Sequence, residues 1–600
     1  MATLFSTQLG YRRLPTRVVP VGKVGVGGRE PIRLQSMLIA NTWEVEAATA
    51  EIRGLVEAGC EIVRLTVPTR KDLEALPEIR RRMAAEGLRV PLVADIHFNP
   101  RLAVAAAEHV EKVRINPGNY VDQKRFQVRE YSDVEYGAEL ERVEEALLPL
   151  IAALQRHGRS LRVGVNHGSL SDRVINRFGD TPEGMVEAAM EYLRILARHD
   201  FHDTIVSMKS SNPLVSIQAY RLLALKMGAE GMNYPLHLGV TEAGDGVEGR
   251  LKSAVGIGAL LSDGFGDTIR VSLTEPAARE IPAARELVAG IAALQQGPAW
   301  PEVAFGVPID FRRRPTRALS VGGAEVGGDA PVAFFALGET GLGGYSGEGA
   351  FDGSLLPPDA GGAGSSPNRM LPPGSAFGQS FPPVVRLAAD RVDETAAEML
   401  LKRGKELSEG ALLVVAGGRL LYPVRRLVGL LDAAGLDWPL AVMVPPVKAG
   451  ELPLGLAAEI GSLAADGLLD ALVCPDDQPE GPTAAFCRAL LQAARLRTYR
   501  AEYISCPSCG RTLFDLQETT ERIKARTSHL KGVKIGVMGC IVNGPGEMAD
   551  ADFGYVGGAP GKVNLFRGQE CVERGVPTAA AVDRLVELIK KHGRWVEPPQ

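Results

Sequence analysis

The chain has 600 residues, of which 45% are apolar and 23% are charged, a composition typical of soluble proteins that bury several hydrophobic cores. The 67 basic and 72 acidic residues give a net charge of −5, which excludes a strongly basic nucleic-acid-binding protein. No apolar run approaches the ~20 residues that cross a membrane, and the first residues lack the apolar core of a signal peptide. We therefore expect a cytoplasmic protein that binds neither membranes nor nucleic acid.

The first 295 residues alternate strand-like runs with longer amphipathic stretches. Helical patterns such as EVEAATAEIRGLVEAG and GAELERVEEALLPLIAALQRH separate runs that are rich in β-branched residues. The predicted strands are 32–37, 61–67, 91–97, 112–117, 161–166, 204–209, 235–241 and 268–273. Eight β-then-α units in about 265 residues are typical of a (β/α)8 TIM barrel, and their regularity favours it over a doubly wound parallel sheet. We predict an α/β chain with a TIM-barrel substrate domain over 1–300.

An internal repeat occurs at an offset of 300 residues. The segment 12–31 aligns without gaps to 312–331, and 11 of the 20 positions are identical. Repeats on this scale indicate duplicated structural units. Strand-like runs also follow the second copy, at 411–417, 440–446 and 470–475.

A second correspondence links DGFGDTIRVS (263–272) with DGLLDALVCP (466–475). In this alignment Val473 stands where the barrel has Arg270. We therefore predict a degenerate, barrel-like insert domain over 301–497 whose role is structural.

Within this insert, the segment 338–383 has an unusual composition. It contains 12 Gly and 7 Pro in 46 residues. Such a composition cannot bury enough apolar surface to offset the entropy lost on ordering. We expect a mobile loop without a function of its own.

The seven cysteines are unevenly spread, which argues against a secreted disulfide framework. Cys60, Cys474 and Cys487 lie in strand or helix patterns, so we expect them to be ordinary buried cysteines. The other four lie in 498–600, where we predict a small α+β domain.

Three of these four cysteines have a spacing typical of ligands. Cys506 and Cys509 form a CPSCGR motif, and Cys540 follows 31 residues later in GCIVNGPGE. Three thiolates are one fewer than the usual four ligands of an iron–sulfur cluster or a closed zinc site. Spacing alone leaves these two alternatives equal. The candidates for the fourth ligand are Glu547, His529 and Cys571.

Cations recur within the predicted barrel strands, where they face the carboxyl ends that carry active sites in TIM barrels. They are Arg64, Arg114, Arg162, Lys209 and Arg270. A buried cation is costly unless an anion meets it, and arginine side chains suit phosphate oxygens. For any single residue, ion pairing with a barrel acid such as Asp95 or Glu242 is the better interpretation. Five cations together indicate a multiply anionic substrate such as a diphosphate.

Polar residues accompany these cations near the predicted strand ends. Asparagine, serine and threonine side chains orient phosphate or hydroxyl groups, whereas Glu242 and His97 are candidates for proton exchange. The accompanying residues are Asp95, His97, Asn116, Asn166, His167, His237, Thr241, Glu242 and Ser272.

These motifs resemble the 4-hydroxy-3-methylbut-2-enyl diphosphate synthase family of the methylerythritol phosphate route to isoprenoids. The similar segments include KVRINPGN, RVGVNHGSL, HLGVTEAG, GDTIRVSLT, ISCPSCGRT and GCIVNGPGE. The resemblance covers about 13–295 and 498–590, and the combination of CPSCGR with GCIVNGPGE is highly specific. The central insert of roughly 200 residues is similar to the three-domain form of the family.

The resemblance implies an oxidoreductase with a [4Fe-4S] cluster held by Cys506, Cys509, Cys540 and Glu547. The implied reaction is the reductive ring opening of 2-C-methyl-D-erythritol 2,4-cyclodiphosphate to (E)-4-hydroxy-3-methylbut-2-enyl diphosphate. Two electrons come from ferredoxin or flavodoxin. Glu242 is the implied proton-transfer residue, with His97 and Asp95 as second choices. The implied diphosphate-binding residues are Arg64, Arg114, Asn116, Arg162, Asn166, Lys209, Thr241, Arg270 and Ser272.

Two further questions concern assembly and class. In the two-domain form, the cluster domain of one subunit closes the barrel of its partner in a homodimer. We expect the insert to replace that partner, so that one chain closes on itself. The alternative to the whole interpretation is a barrel lyase or transferase that acts on a phosphorylated substrate and carries a structural zinc domain.

Overall fold

The structure is a computed structural model of the chain, and it divides into two compact units. One unit combines Arg13–Val288 with Arg500–Gln600, and the other combines Met1–Arg12 with Ala289–Tyr499. The structure describes residues 10–122, 130–295, 312–321, 324–337, 351–355, 370–371, 384–392, 402, 410–475, 478–542 and 544–598. No helix in these ranges combines the length and the apolar character that crossing a membrane requires.

The first unit contains a parallel eight-stranded barrel preceded by a β-hairpin. The hairpin strands are β1 (Val19–Val21) and β2 (Val24–Val26). The barrel strands are β3 (Arg33–Met37), β4 (Ile62–Thr66), β5 (Leu92–Asp95), β6 (Lys112–Ile115), β7 (Ser160–Asn166), β8 (Thr204–Lys209), β9 (His237–Leu238) and β10 (Thr268–Ile269). Their order is β8-β7-β6-β5-β4-β3-β10-β9, and a parallel bridge between Val206 and Leu236 brings the two ends of this sheet together. The predicted TIM barrel is confirmed.

Helices follow the barrel strands in the predicted alternation. They are α1 (Val45–Ala58), α2 (Arg70–Ala85), α3 (Pro100–Ala106), α4 (Pro117–Tyr120), α5 (Asp133–His157), α6 (Asp172–Phe178), α7 (Pro182–Arg198), α8 (Pro213–Ala229), α9 (Gly246–Ser253), α10 (Ala259–Ser262) and α11 (Glu280–Gln295). Four of these helices begin with a proline, and the residue before each proline caps the helix. The capping side chains of Asn99, Asn116, Thr181 and Asn212 each accept a backbone N–H of the first turn.

The hairpin packs against the barrel interior. Val19, Val21 and Val26 form one buried cluster with side chains of three barrel strands, Ile62, Val93 and Ile205. These three residues lie at or next to the amino ends of their strands. The hairpin therefore fills the end of the barrel opposite the strand carboxyl ends.

The C-terminal part of this unit is a five-stranded mixed sheet with helices. Its elements are β20 (Glu502–Ser505), α15 (Leu516–Thr527), β21 (Lys534–Met538), α16 (Gly544–Glu547), β22 (Phe553–Ala559), β23 (Lys562–Arg567), β24 (Glu570–Pro577) and α17 (Thr578–Lys591). The first three strands are parallel and the last three antiparallel. The buried core lies between the sheet and the helices α15 and α17.

The second unit contains a seven-stranded parallel sheet of order β14-β13-β19-β18-β17-β16-β15 and a hairpin. Its elements are β11 (Leu319–Val321), β12 (Ala324–Val326), β13 (Ala333–Leu337), β14 (Gly353–Leu355), β15 (Met370–Leu371), β16 (Val384–Ala388), β17 (Leu412–Ala416), α12 (Leu421–Ala433), β18 (Leu440–Met443), α13 (Leu454–Ala465), β19 (Ala471–Cys474) and α14 (Pro482–Ala493). The hairpin and the next strand lie 300 positions after β1, β2 and β3, with the same bounds and register.

Most of 338–383 lies outside the described residues. The two pieces within it that the structure describes, Gly353–Leu355 and Met370–Leu371, are short strands that pair with β13 and β16. These pieces therefore belong to the sheet, and the mobile loop expected over 338–383 stays a prediction for the rest of the segment.

Candidate functional site

A cavity lies between the carboxyl ends of the barrel strands and the cysteine-bearing loops of the C-terminal sheet. Its atom-free volume is about 700 Å³. Of the residues that the resemblance implies for the site, all but two line it: Arg64, Asp95, His97, Arg114, Arg162, Asn166, Lys209, Thr241, Glu242, Arg270, Ser272, Cys506, Cys509 and Cys540. The strand-end cations and the cysteines, which are more than 230 residues apart in sequence, therefore share one site.

Three of the five cations make no ion pair with any described residue. The Arg64 guanidinium contacts only the Met37 sulfur, at 3.1 Å from Nε and 2.8 Å from Nη2. None of the three guanidinium nitrogens of Arg162 has a hydrogen-bond partner among the described residues. Lys209 is buried and faces further cations. These three side chains leave an uncompensated positive charge in the cavity wall.

The other two cations are paired with carboxylates. Arg114 Nη1 bonds Asp95 Oδ1 at 2.8 Å, and Arg270 Nη2 bonds Glu280 Oε1 at 3.0 Å. For these two residues, ion pairing within the barrel is confirmed. Sequence reasoning missed Glu280, because it lies at the start of α11 rather than at a strand end.

Burial and mutual repulsion act on the unpaired cations. Burial lowers the pKa of Arg64 to about 9, with Asp95 opposing the shift and Arg270 adding to it. Burial, followed by the charges of Arg64 and Arg162, lowers the pKa of Lys209 well below its usual value. An anion in the cavity would relieve both effects, since it replaces lost solvation with ionic hydrogen bonds.

His97 belongs to the same hydrogen-bond network as Arg114. Its Nε2 lies 2.7 Å from Arg114 Nη1, and its Nδ1 lies within hydrogen-bond distance of the Asn119 amide. Burial lowers the pKa of His97 to about 4, so the ring is neutral at physiological pH. Both ring nitrogens are occupied, which places His97 among the groups that orient Arg114.

Glu242 lies where the barrel meets the C-terminal sheet. It is buried, and its φ of 49° puts it in the left-handed region that non-glycine residues rarely adopt. The next residue, Ala243, forms a parallel bridge with Ser505, immediately before Cys506. Such backbone strain persists only where the surroundings hold it in place, and it is frequent at functional sites.

The three cysteines approach the cavity from adjacent strand ends. Cys506 follows β20 and Cys540 follows β21, while Cys509 lies in the loop after Cys506. The Gly539 N–H donates to Cys506 Sγ at 3.3 Å. Burial raises the pKa of the Cys506 thiol, and Cys540, Glu242 and Cys509 add to the shift. The three thiols therefore lie within electrostatic reach of one another.

Arg511 connects the cysteine loop to the barrel. Its Nη2 bonds Asp95 Oδ2 at 3.0 Å, and the Cys509 side chain lies close enough to act electrostatically on it. Asp95 therefore holds Arg114 with one oxygen and Arg511 with the other. The sequence signal for Arg511 was its place in CPSCGR, which was interpreted only for its cysteines.

Two predicted site residues do not line the cavity. Asn116 caps α4 through the Gly118 N–H at 3.0 Å, and its amide donates to Ser169 Oγ at 2.8 Å. Glu547 is buried at the end of α16, one helical turn after Gly544, which does line the cavity. A Cβ atom on Gly168 would lie 2.7 Å from Glu547 Oε1, so this carboxylate abuts the barrel loop after β7.

The other candidate fourth ligands lie elsewhere. His529 Nε2 contacts the Val596 carbonyl at 2.8 Å, and Cys571 is on β24, where it contacts the Glu573 carbonyl. Neither lines the cavity. Cys60, Cys474 and Cys487 are buried, as predicted.

No three His, Cys, Asp or Glu side chains among the described residues converge on a point that would hold a single metal ion. A structural zinc site needs its ligands at about 2.0–2.3 Å from one centre. A polynuclear iron–sulfur cluster spreads its cysteines over several iron atoms. The cavity cysteines Cys506, Cys509 and Cys540 supply thiolates, which both kinds of site use as ligands.

Buried contacts between barrel and C-terminal sheet close the cavity within one chain. Lys252 Nζ bonds Glu502 Oε1 at 3.0 Å, and Thr274 Oγ1 lies 2.7 Å from Ser505 Oγ. The backbones also touch, since a Cβ on Gly546 would collide with the Gly168 carbonyl. Only glycine at 546 permits this approach.

Comparisons with known proteins agree with this geometry. The description "GcpE TIM-barrel domain" matches residues 16–285, and "GcpE protein C-terminal domain" matches 502–591. A relative from Akkermansia muciniphila, named 4-hydroxy-3-methylbut-2-en-1-yl diphosphate synthase (flavodoxin), is 46% identical over 98% of both chains. The same-named protein of Leptospira interrogans is 42% identical over 99% of this chain and 98% of its own length. The ferredoxin-named chloroplastic protein of Oryza sativa is 40% identical over 98% of this chain and 88% of its own length. This chain therefore belongs to the GcpE family.

Proposed function

We propose that this chain catalyses the reductive ring opening of 2-C-methyl-D-erythritol 2,4-cyclodiphosphate to (E)-4-hydroxy-3-methylbut-2-enyl diphosphate. In this reaction a ring C–O bond breaks, a hydroxyl leaves as water, and two electrons and one proton are consumed. One observation carries the proposal. A single cavity is lined by three cysteines and by cations of which three make no ion pair with any described residue.

The unpaired cations Arg64, Arg162 and Lys209 are proposed to bind the diphosphate. Arg114 and Arg270 are held in place by Asp95 and Glu280, so their free N–H groups are oriented before the substrate arrives. Asn166, Thr241 and Ser272 line the same cavity and are proposed to bind phosphate or hydroxyl oxygens. Asn116, predicted to join them, is proposed instead to fix the turn that follows β6.

An iron–sulfur cofactor accompanies this family, and we propose that it is a [4Fe-4S] cluster held by Cys506, Cys509, Cys540 and Glu547. The shared cavity of the three cysteines supports this assignment, as does the N–H of Gly539 that donates to Cys506 Sγ. When bound, the cluster supplies electrons one at a time from flavodoxin or ferredoxin, the donors in the relatives' names. A carboxylate is a harder and more exchangeable ligand than a thiolate, so Glu547 would hold its iron less firmly than the three cysteines hold theirs.

The carboxyl group of Glu242 is proposed to donate the proton with which the departing hydroxyl leaves as water. It is buried, lines the cavity and bears electrostatically on both Cys506 and Cys540. Asp95 and His97 were the second choices for this role. Their hydrogen bonds to Arg114 and Arg511 favour positioning over proton transfer.

We further propose that the active site closes in cis. The support is the set of contacts between barrel and C-terminal residues of one chain, including Lys252–Glu502 and Arg511–Asp95. A mixture of Cys540→Ser and Arg64→Met chains tests this directly. Closure in cis leaves every site with one defect, so the mixture should show no activity beyond the sum of its parts. Recovery toward a quarter of the parent activity would contradict it and point to closure between chains.

The function itself is tested by anaerobic turnover of the cyclic diphosphate with cluster-loaded protein and an artificial reductant. We expect the linear diphosphate product, with formation lost in Cys540→Ser. A brown, cluster-loaded protein that consumes no substrate would overturn the proposal and leave the cavity as a site for another phosphorylated anion.

A further inference from the structure

A layer of polar side chains lies inside the barrel, beneath the cavity. Four of them precede a cavity-lining residue of the same strand by two positions, so they point to the same face one layer deeper. These are Gln35, Lys112, Ser207 and Thr268. His237 on β9 and Arg162 on β7 complete the layer, and Arg162 also reaches the cavity. We call these six residues the polar layer.

The polar layer is enclosed and its groups lack protein partners. Each of the six side chains is at most 1% exposed. Among the described residues, nothing hydrogen-bonds Lys112 Nζ, either ring nitrogen of His237 or the side-chain amide of Gln35. The Ser207 and Thr268 hydroxyls and the Arg162 guanidinium are also unpartnered. TIM-barrel interiors are usually filled by Val, Ile and Leu, and buried polar groups without protein partners bind ordered water or an ion.

The charges around the polar layer are mostly positive. Arg64, Arg114, Lys209 and Arg270 face it from the cavity, and below it lies the apolar cluster around Val19 and Ile62. Asp95 is the acidic group that acts on Arg162, and both its oxygens are engaged by Arg114 and Arg511. The layer therefore has no carboxylate of its own to balance Lys112.

Lys112 is the group in this layer that changes charge most easily. Burial, followed by the charges of Arg162 and Arg64, lowers the pKa of Lys112 well below its ordinary value. Burial and the same neighbours also lower the pKa of His237. Arginine keeps its proton at neutral pH, whereas burial beside cations without a counter-ion disfavours the charged form of Lys112.

We propose that the polar layer holds ordered water and takes up one proton, at Lys112 Nζ, when a diphosphate binds in the cavity above it. The proton comes from solvent and joins the amine lone pair, and no other bond changes. The diphosphate charge offsets Arg64 and Arg162, which removes the repulsion that, together with burial, disfavours a charge on Lys112. This inference rests on the proposed function, since it takes the diphosphate as the cavity's ligand.

The test is isothermal titration calorimetry on anaerobic, cluster-loaded protein without reductant. The probe is 2-C-methyl-D-erythritol 2,4-cyclodiphosphate, whose phosphodiester groups have no proton that titrates near neutral pH. Binding is measured in two buffers of different ionisation enthalpy, and the difference in heat gives the number of protons taken up. We expect the parent and the surface control Lys531→Met to take up about one proton more than Lys112→Met, since any proton that Lys209 binds is common to all three.

The conservative variant Lys112→Arg separates charge from packing. Its guanidinium is already protonated, so we expect the same smaller proton uptake as for Lys112→Met and a dissociation constant that depends less on pH between 7 and 9 than in the parent. In the parent, the constant should rise as pH rises, up to tenfold per unit for a single coupled proton. This pH series needs no variant, so the inference remains testable if Lys112 variants fold poorly.

Several outcomes would overturn the inference while leaving the proposed function intact. Binding of the cyclic diphosphate without proton uptake is one, and equal uptake in the parent and Lys112→Met is another. A dissociation constant that follows chloride instead of pH would show a resident anion in the layer rather than a neutral lysine. If the cyclic diphosphate does not bind, but inorganic diphosphate binds with Lys112-dependent uptake, the layer is as proposed and the proposed substrate is wrong.

Discussion

The barrel and the corresponding part of the insert each contain the same set of internal hydrogen bonds. In the barrel, Arg13 Nη2 and Thr16 Oγ1 donate to Asp267 Oδ1, at 2.8 and 3.1 Å. The residues 300 positions later bond Asp470 in the same way, at 2.7 and 3.2 Å. The second oxygen of each aspartate accepts the N–H of a neighbouring strand, at 2.9 and 2.8 Å. Both copies thus retain the buried acid that fixes the hairpin to the sheet.

The two regions differ where the barrel has its chemistry. Three residues after Asp267 stands Arg270, whereas Val473 stands three residues after Asp470. The strands β17, β18 and β19 read LLVVA, LAVM and ALVC, with no charged residue. A buried cation without an anion is destabilising, and apolar strands avoid this cost. The comparison separates residues kept for the scaffold from residues kept for the ligand.

The largest expected contrast concerns the cysteines. Cys540→Ser should abolish turnover, by about 10³-fold or more, because one cluster ligand is lost and iron–sulfur clusters are held by thiolates. Cys474→Ser, at a buried cysteine in the insert, should retain iron and activity and cost only stability. Iron content and product formation measure both variants. Equal iron loss in the two would refute the assignment of the cluster to the C-terminal sheet.

The next contrast concerns the cations. Arg64→Met removes an unpaired cavity cation, and a hydrogen bond to a charged group contributes about 1.5–3 kcal/mol, so kcat/KM should fall about 10- to 100-fold. The control Arg386→Met removes an exposed arginine from a strand of the insert and should change kcat/KM less than twofold. A fall of similar size in both variants would mean that Arg64 acts on folding rather than on substrate.

The sequence predicted the barrel well because its strands obey local rules. All eight strands lie where the runs of β-branched residues placed them, although β9 and β10 are only two residues long. The helix predicted to begin at Gly137 begins four residues earlier, since Ser132 and Glu135 form a capping box. Such boundaries depend on side-chain capping, which periodicity does not detect.

The site was predicted less completely because partners come from distant elements. Cations at strand ends were recognisable one by one, but the choice of counter-ion was not. Glu280 pairs with Arg270 from the following helix, and Arg511 reaches Asp95 from 416 residues away. Lys112 begins its strand, whereas the search for functional residues concentrated on strand ends.

A smaller contrast concerns the two buried aspartates. Asp267→Asn and Asp470→Asn each turn an acceptor oxygen into a donor against a buried strand N–H, at a cost of about 1–3 kcal/mol. We expect equal losses in the free energy of local unfolding, measured by hydrogen exchange of β10 and β19 amides. Only Asp267→Asn should also lower activity, because its strand leads to Arg270. Lower activity in Asp470→Asn would show that the insert contributes more than structure.

The smallest contrast is a difference in acid sensitivity. Burial lowers the pKa of His97 to about 4, while a histidine in the unfolded chain titrates near its ordinary value of 6.5. Between these values the unfolded state binds more protons, so stability falls as pH drops from 6.5 towards 4, by at most about 3 kcal/mol. Burial raises the pKa of both Asp267 and Asp470, so these acids affect the two regions alike. None of the nine histidines lies in 289–499.

Hydrogen exchange corrected for intrinsic rates should therefore show the barrel loosening before the insert from pH 6.5 to 4.5, and His97→Gln should reduce that difference. Parallel loosening of both regions in the parent would assign the acid response to carboxylates instead.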